Sequence, residues 1–356
     1  MIKFALVGCG RIARKHAGNL GENKINNAKL VAVCDIIEEK AKFYGEKYNV
    51  PFFTDMHVMM KEMSDNIDVI SILTHSGAHA QNTIDLAPYG KHIVVEKPMA
   101  LTLNDSDKMI KACDKEGIRL FVVKQNRFNY PVIKLREALE SDRFGKLVMG
   151  TIRVRWCRDQ EYYDQADWRG TWEHDGGVFA NQASHHVDLL QWMMGDVESV
   201  FAKSTTALVN IEAEDTGVVV LKFKSGALGV IEATTATRPK DLEGSISILG
   251  EKATVEIGGF AVNEMKIWNF LEPIPGDEEV VDKYKVNPPD VYGFGHTEYL
   301  NNVVTALKED KSALVQGLEG RKSLELISAI YESIETGKEV SLNFTPKECR
   351  LGIAKQ

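Results

Sequence analysis

The chain has 356 residues, of which 44% are hydrophobic and 26% charged, and its formal net charge is −8. This is the composition of a globular protein long enough to bury its own core, and at ~150 residues per domain it predicts two domains. The excess of 51 Asp and Glu over 43 Lys and Arg argues against nucleic acid as a partner. The five cysteines, Cys9, Cys34, Cys113, Cys157 and Cys349, include no CxxC pair, which predicts a reduced, cytoplasmic chain without a disulfide framework. No charged leader precedes the apolar start at Ile2, and no apolar run approaches the ~18 residues that span a bilayer. Neither a signal peptide nor a membrane partner is expected.

Residues 4–7 form a short apolar run that ends in glycine. Residues 11–20 then place Ile12, Ala13, His16, Ala17 and Leu20 on one helical face. A second strand spans 30–34 and ends at Asp35, and Ile37, Ala41, Tyr44 and Tyr48 recur at helical spacing. Further strands are predicted at 69–73, 92–95 and 119–123. They are separated by a helix ending near Gly90 and another over 104–116, closed by Gly117. Strands alternating with helices of this length imply a doubly wound, parallel α/β sheet of Rossmann type.

The pattern changes after Lys124, which sets the expected domains at 1–124 and 125–356. Residues 147–157 alternate, with Val148, Ile152, Val154 and Trp156 on one face and Arg153 and Arg155 on the other. The runs 217–223 and 227–233 flank Lys224-Ser225-Gly226, and the runs 245–249 and 253–257 flank Gly250-Glu251-Lys252. Both are hairpin signals. The second domain is therefore expected to be α+β, with a large, open, mostly antiparallel sheet half covered by helices. Residues 273–290 read as a surface loop, and a last helix over 318–336 stops at Gly337.

Four features carry chemistry. Gly8-Cys9-Gly10-Arg11-Ile12-Ala13 follows the first strand and opens the first helix, the context a dinucleotide-binding GxGxxG/A turn requires. Gly8 permits the tight turn, Gly10 lets backbone approach a pyrophosphate, and the helix N-terminus supplies N–H groups. Asp35, at the end of the second strand, suits the ribose hydroxyls of NAD and repels a 2′-phosphate, so NAD is expected rather than NADP. Glu96-Lys97-Pro98 closes the strand at 92–95, where ligands of open α/β sheets bind, and Pro98 biases Lys97 away from helical dihedrals. In the second domain, Gly176-Gly177 precedes Asn181, Ser184, His185, His186 and Asp188. If Asn181 starts a helix, Asn181, His185 and Asp188 share one face, and at most one of the two histidines points into a site. There is no HExxH and no Cys/His pair of zinc spacing, so no metal is expected.

These residues resemble the Gfo/Idh/MocA oxidoreductase family over essentially the whole chain. The segments 121–127, 160–163, 168–172, 181–185, 214–217 and 248–252 are similar to the branch that oxidises UDP-N-acetylglucosaminuronic acid at C3. The resemblance implies a Rossmann domain followed by an α/β domain, and tightly bound NAD. It implies a UDP-sugar substrate whose 3-keto product leads to diacetylated mannuronic acid sugars of surface polysaccharide. It also implies a homotetramer and, in some members, 2-oxoglutarate as the hydride acceptor that restores NAD. Carried over residue by residue, the cofactor contacts are Gly8, Gly10, Arg11, Ile12, Asp35, Thr74, His75, His79, Glu96, Lys97, Asn126, Trp168 and Arg169. The substrate contacts are Lys97, Arg155, Tyr163, Asn181, Ser184 and His185. Two positions depart from the pattern: the broad family often has aspartate where Asn181 stands, and the branch usually has proline where His75 stands.

Lys97 and His185 are the expected catalytic pair. His185 is the preferred general base, with Lys97 steadying the C3 oxygen, and the reverse assignment is open at this point. Alternatives are another NAD-dependent sugar or cyclitol dehydrogenase, a nucleotide-sugar 3-ketoreductase, an NAD-dependent glycosidase, and a non-catalytic NAD-binding regulator.

Overall fold

The computed structural model describes residues 1–286, 293–343 and 349–354. The chain divides into two compact units, Met1–Lys124 with His296–Arg321, and Gln125–Gly295 with Lys322–Gln356. The first unit ends at Lys124, but the second is not the contiguous 125–356 expected from sequence. Residues 296–321 return to the first unit, where Gln316 bridges Phe121 and the Arg321 guanidinium meets Asp107 at 2.6 Å. No change of pattern marks this return, because both stretches lie within ordinary helices.

The first unit is built on six parallel strands, β1 (Ile2–Val7), β2 (Ala28–Cys34), β3 (Phe52–Phe53), β4 (Val69–Ile72), β5 (His92–Val95) and β6 (Leu120–Val122), in the order β3-β2-β1-β4-β5-β6. Their inner residues are apolar on both faces, as crossover connections demand, and Phe4, Ala5, Ile70, Ile93 and Phe121 are fully buried. The crossovers hold helices α1 (Ala13–Gly21), α2 (Glu38–Tyr48), α3 (Met56–Met63), α4 (His79–Leu86) and α5 (Leu103–Lys115). α1 buries Ala13, His16, Ala17 and Leu20, the face read from sequence, but begins two residues later than expected. α5 is capped by Thr102, whose hydroxyl accepts the Asp105 N–H, and is followed by Gly117 at φ +65°. Strand order reverses between β1 and β4, so the chain ends that matter for ligands are those of β1, β4 and β5.

The second unit carries an eight-stranded sheet. Its strands are β7 (Leu147–Arg155), β8 (Val197–Thr205), β9 (Thr216–Phe223), β10 (Leu228–Thr234), β11 (Glu243–Gly250), β12 (Ala253–Gly258), β13 (Glu264–Phe270) and β14 (Val340–Ser341). The order is β13-β12-β11-β7-β10-β9-β8-β14, antiparallel except for the parallel pair β7–β10. Both predicted hairpins form, β9–β10 and β11–β12. Helices α6 (Tyr130–Glu140), α7 (Gln160–Asp164), α8 (Ser184–Met194) and α9 (Val280–Lys283) belong to this unit. α8 lies across β7 and β11. Gly150 of β7 makes that approach possible, because a side chain there would sit 2.7–2.9 Å from Leu190 and Met194.

Two expectations change here. The stretch predicted as a loop at 273–290 contains α9 where it is described, and 287–290 lie outside the described residues. α8 starts at Ser184, so Asn181 sits in the preceding turn and does not share a helical face with His185 and Asp188.

Candidate active site

In the first unit, Gly8 leaves β1 at φ +100°. A side chain there would meet the Leu73 and Thr74 backbone at 2.6–2.7 Å, so β1 can turn beside the end of β4 only with glycine. Gly10 is the opposite case: an added Cβ would meet nothing within 4 Å. That open backbone, just ahead of α1 and its positive dipole end, is the cradle a pyrophosphate needs. Arg11 is exposed and Ile12 half-buried in the same turn. Asp35 accepts the Cys9 N–H through Oδ2 at 2.7 Å and the Ile37 N–H through Oδ1 at 2.9 Å. The carboxylate is thereby fixed beside the turn, with lone pairs to spare for ribose hydroxyls. These residues fit NAD. Burial pushes the neighbouring Cys9 and Cys34 thiols up to about 12, which leaves them inert.

Beyond β4, Thr74 donates its hydroxyl to Asn82 at 2.9 Å, and His75 opens a single turn of 3-10 helix. His79 is buried, with Nδ1 2.7 Å from the Pro98 carbonyl and Nε2 3.0 Å from the Thr74 carbonyl. Burial pushes its pKa down, while the two carbonyls and Glu96 push it back up. His79 therefore ties the loop after β4 to the segment after β5. Glu96, at the end of β5, is buried. Its Oε1 lies 3.0 Å from His16 Nε2 and 3.5 Å from His296 Nε2, and its Oε2 accepts the Lys97 N–H at 3.1 Å. Burial raises the carboxyl, but the hydrogen bonds and charge of the two histidines hold it well below the usual range. His16, Glu96 and His296 also bring three ligand-type atoms within 4.8 Å of one another. His16 lies at hydrogen-bond distance from Glu96 and His296 at ion-pair distance, 3.5 Å.

In the second unit, His185 is the second residue of α8 and is 7% exposed. Its Nε2 lies 2.8 Å from the side-chain nitrogen of Gln125. That contact ties the His185 ring to the 3-10 turn that carries Gln125. His186 points the other way. It stacks edge-on against Trp156, makes no hydrogen bond among the described residues, and burial pushes it down to about 3. Of the two histidines, only His185 is placed for chemistry. Asp188 is taken up bidentately by Arg127, at 2.7 and 2.9 Å, and the Arg127 guanidinium lies 4.8 Å from the Trp192 ring centre. Asn126 is buried in the same 3-10 turn as Gln125 and Arg127. Sequence reasoning missed Gln125 and Arg127 as partners of α8, because nothing local in the sequence pairs a turn with a helix some sixty residues later.

The turn ahead of α8 is held by acids. Asn181 donates its side-chain N–H to Asp175, which also accepts the Gly170 N–H at 2.9 Å, and Ser184 donates its hydroxyl to the Asn181 carbonyl at 2.9 Å. Glu214 is fully buried behind this turn. It accepts from the Phe179 N–H at 3.1 Å and the Tyr331 hydroxyl at 2.9 Å, and burial pushes its pKa up to about 7. Gly177 must be glycine, since a Cβ would fall 2.2–2.3 Å from Glu214.

The remaining expected contacts are distributed differently. Arg169 is stacked between the rings of Trp168 and Tyr162, at 4.6 and 4.4 Å, and donates to the Tyr162 hydroxyl at 2.6 Å. Tyr163 is buried against Thr235 at 3.1 Å, and burial raises its pKa. Arg155 lies on the sheet face opposite α8, where Glu232 grips it at 2.6 and 2.7 Å. The structure does not bring Arg155 or its neighbour Arg153 to the helix that carries His185. β7 alternates as predicted, and the alternation itself sends these arginines to the other face.

Comparison with known proteins adds an independent line. Residues 2–124 match the Gfo/Idh/MocA oxidoreductase family's NAD-binding Rossmann fold, and residues 136–342 match the same family's C-terminal alpha/beta domain. The WlbA dehydrogenase of Bordetella pertussis, crystallised with NADH and UDP-GlcNAcA, is 46% identical, with a TM-score of 0.91 over 97% of this chain and 98% of that one. The WlbA dehydrogenase of Chromobacterium violaceum, in complex with the same two molecules, is also 46% identical, with a TM-score of 0.90 over 97% and 96%. The myo-inositol 2-dehydrogenase of Thermotoga maritima is 30% identical over 96% of this chain and 98% of its own.

Proposed function

The chain belongs to the Gfo/Idh/MocA oxidoreductase family and is an NAD-dependent sugar dehydrogenase, and from that premise we propose that it oxidises the C3 hydroxyl of UDP-N-acetylglucosaminuronic acid to the 3-keto sugar nucleotide. The observation that carries the substrate is the 46% identity, over 97% of the chain, to a dehydrogenase crystallised with NADH and UDP-GlcNAcA.

NAD, when bound, supplies the hydride acceptor. Gly8, Gly10 and the start of α1 would hold its pyrophosphate, and Asp35 its adenosine ribose. His185 takes the C3 hydroxyl proton on its imidazole ring. Gln125, 2.8 Å from Nε2, orients that ring. Lys97 donates to the C3 oxygen and stabilises it as negative charge develops. Its main chain is held on one side by Glu96 and on the other through Pro98 by His79. In this reading the product feeds amination and acetylation on the way to diacetylated mannuronic acid sugars, and 2-oxoglutarate restores NAD from NADH. The enzyme works in the cytoplasm, and no helix among the described residues is long and apolar enough to cross a membrane. Copies pair through the open face of the eight-stranded sheet, where Phe201, Val218, Val220 and Leu228 are 39–53% exposed, and build a tetramer.

The test is absorbance at the NADH band with a panel of UDP-sugars and cyclitols, with and without 2-oxoglutarate. NADH formed, or 2-oxoglutarate consumed, with UDP-N-acetylglucosaminuronic acid is the expected result. Turnover of myo-inositol alone would replace this substrate with a cyclitol, and undiminished turnover in Lys97→Met would remove Lys97 from the mechanism. Sedimentation as a monomer at micromolar concentration would rule out the sheet-face assembly.

A further inference from the structure

We infer that Glu96, His16 and His296 form a buried positioning set whose role is to fix the backbone of Lys97. The inference rests on the reading of Lys97 as a catalytic residue. The three side chains come from three separate elements: β5 leads into Glu96, α1 carries His16, and His296 is the second residue of the helix Gly295–Lys308. All three are buried, with exposures of 5%, 0% and 2%.

The division of labour between the two carboxylate oxygens is what points to function. Oε1 is anchored by His16 and His296, and Oε2 alone accepts the Lys97 N–H. The carboxylate is thus a rigid bracket between two helices and one peptide unit. His16 Nδ1 makes no hydrogen bond among the described residues, so a proton there would be buried without an acceptor. His16 Nε2 is the ring nitrogen that faces Glu96, at 3.0 Å. The other ionisable groups near the carboxylate are His79 of α4, Lys97 itself, and Tyr299, whose hydroxyl is driven far up by burial and by the Glu96 charge.

A buried carboxylate is not needed to fill this space. An apolar side chain of the same volume would avoid the desolvation cost altogether, so stability of the fold does not explain it. What an apolar residue cannot do is accept the Lys97 N–H while staying tied to two helices. On the far side of Lys97 the Pro98 carbonyl is held by His79, so the chain is pinned by buried side chains just before the lysine and one residue after it. The ammonium group then swings from a fixed Cα, which is what a donor aimed at a single oxygen requires.

The experiment measures Lys97 directly, by amide hydrogen exchange of the peptide spanning it, alongside turnover. Glu96→Ala is expected to speed exchange of the Lys97 amide roughly tenfold or more. It should also lower kcat roughly 10–100-fold, with KM for NAD within about threefold of wild type. Glu96→Gln keeps an oxygen for the Lys97 N–H and can donate its amide to a histidine ring, so it should restore most of both losses. Should Glu96→Ala fail to fold, His16→Gln against Glu96→Gln decides: the first should loosen the Lys97 amide and the second should not. Unchanged exchange and kcat in folded Glu96→Ala would overturn the inference. So would a Glu96→Gln as impaired as the alanine variant, since charge and not the bond would then matter. Because exchange needs no substrate, a wild-type protein inactive on UDP-N-acetylglucosaminuronic acid would sink the substrate reading while the exchange result still judged the positioning set.

Discussion

Breaking the Arg127–Asp188 pair is the sharpest test of how α8 is held. Both side chains are 2% exposed, and the contact is a two-toothed one at 2.7 and 2.9 Å. Arg127→Met leaves the Asp188 carboxylate buried without its guanidinium partner, which costs roughly 3–5 kcal/mol. The same change removes a guanidinium 4.8 Å from the Trp192 ring centre, adding about 1 kcal/mol. For a unit of this size each kcal/mol moves the midpoint by roughly 2–4 °C, so scanning calorimetry should show a fall of roughly 8–24 °C. Asp188 stands one turn after His185 on α8, and Arg127 two residues after Gln125, so turnover should fall with stability. The double variant Arg127→Met/Asp188→Leu removes both charges and refills the space, and should recover most of the midpoint. A single variant within about 1 kcal/mol of wild type, or a double variant no better than the worse single, would refute the reasoning. Either result would mean that water or another group already compensates the carboxylate.

Three further outcomes are expected. Gly8→Ala, forced into φ +100° with Leu73 and Thr74 backbone at 2.6–2.7 Å, should cost at least ~1–3 kcal/mol of stability and weaken NAD binding, read by fluorescence titration. Glu214 has its carboxyl raised to about 7 when folded, against an ordinary 4.5. Its contribution to stability is therefore full below pH 4.5 and lost as pH rises through 7, a change of ~3 kcal/mol that Glu214→Gln should abolish in denaturation curves at pH 5 and pH 8. Asn181→Asp, although it installs the residue common in the wider family, should lower kcat because it sets a second carboxylate against Asp175. The reversed pair Asn181→Asp/Asp175→Asn should regain activity, and an active single variant would show that Asp175 does not govern this position.

Much of this was legible in the sequence, and the parts that were not share a cause. Five strands of the first unit's sheet could be read because each is an apolar run largely buried on both faces, whereas β3, two residues long with Phe52 exposed, carries no such run. The hairpins β9–β10 and β11–β12 announced themselves through glycine-bearing turns. α3 went unread because its Met-rich stretch, with Met59 and Met60 buried side by side, has little helical period. The start of α8 was misplaced because Asn181 is a good cap residue on propensity, yet its side chain is committed to Asp175 and cannot cap. The partners of the reactive residues were the least legible. Gln125 meets His185, Arg127 meets Asp188, and His296 meets Glu96 across long separations in sequence, and periodicity carries no information about such contacts.

An acidic chain that takes a dinucleotide and, in the proposed reading, a UDP-linked uronic acid has an electrostatic difficulty, since both ligands are strongly anionic. The net charge of −8 sets an unfavourable long-range field, but at physiological salt that field decays over about 8 Å. What matters is whether the acids near the reactive residues face the ligands. Four acids of the two units are turned to protein groups. Glu96 is turned to His16 and His296, Asp188 to Arg127, Asp175 to Asn181 and Gly170, and Glu214, in its neutral form below about pH 7, to Tyr331. Arg155, expected as a substrate contact, is engaged as well, by Glu232. In the proposed reading, anion binding in the first unit falls to backbone N–H groups at the start of α1 and to Lys97, and in the second to Arg169, which is held by aromatic faces and a phenol. A guanidinium stacked on Tyr162 and Trp168 can, in that reading, turn to a phosphate without first breaking an ion pair among the described residues.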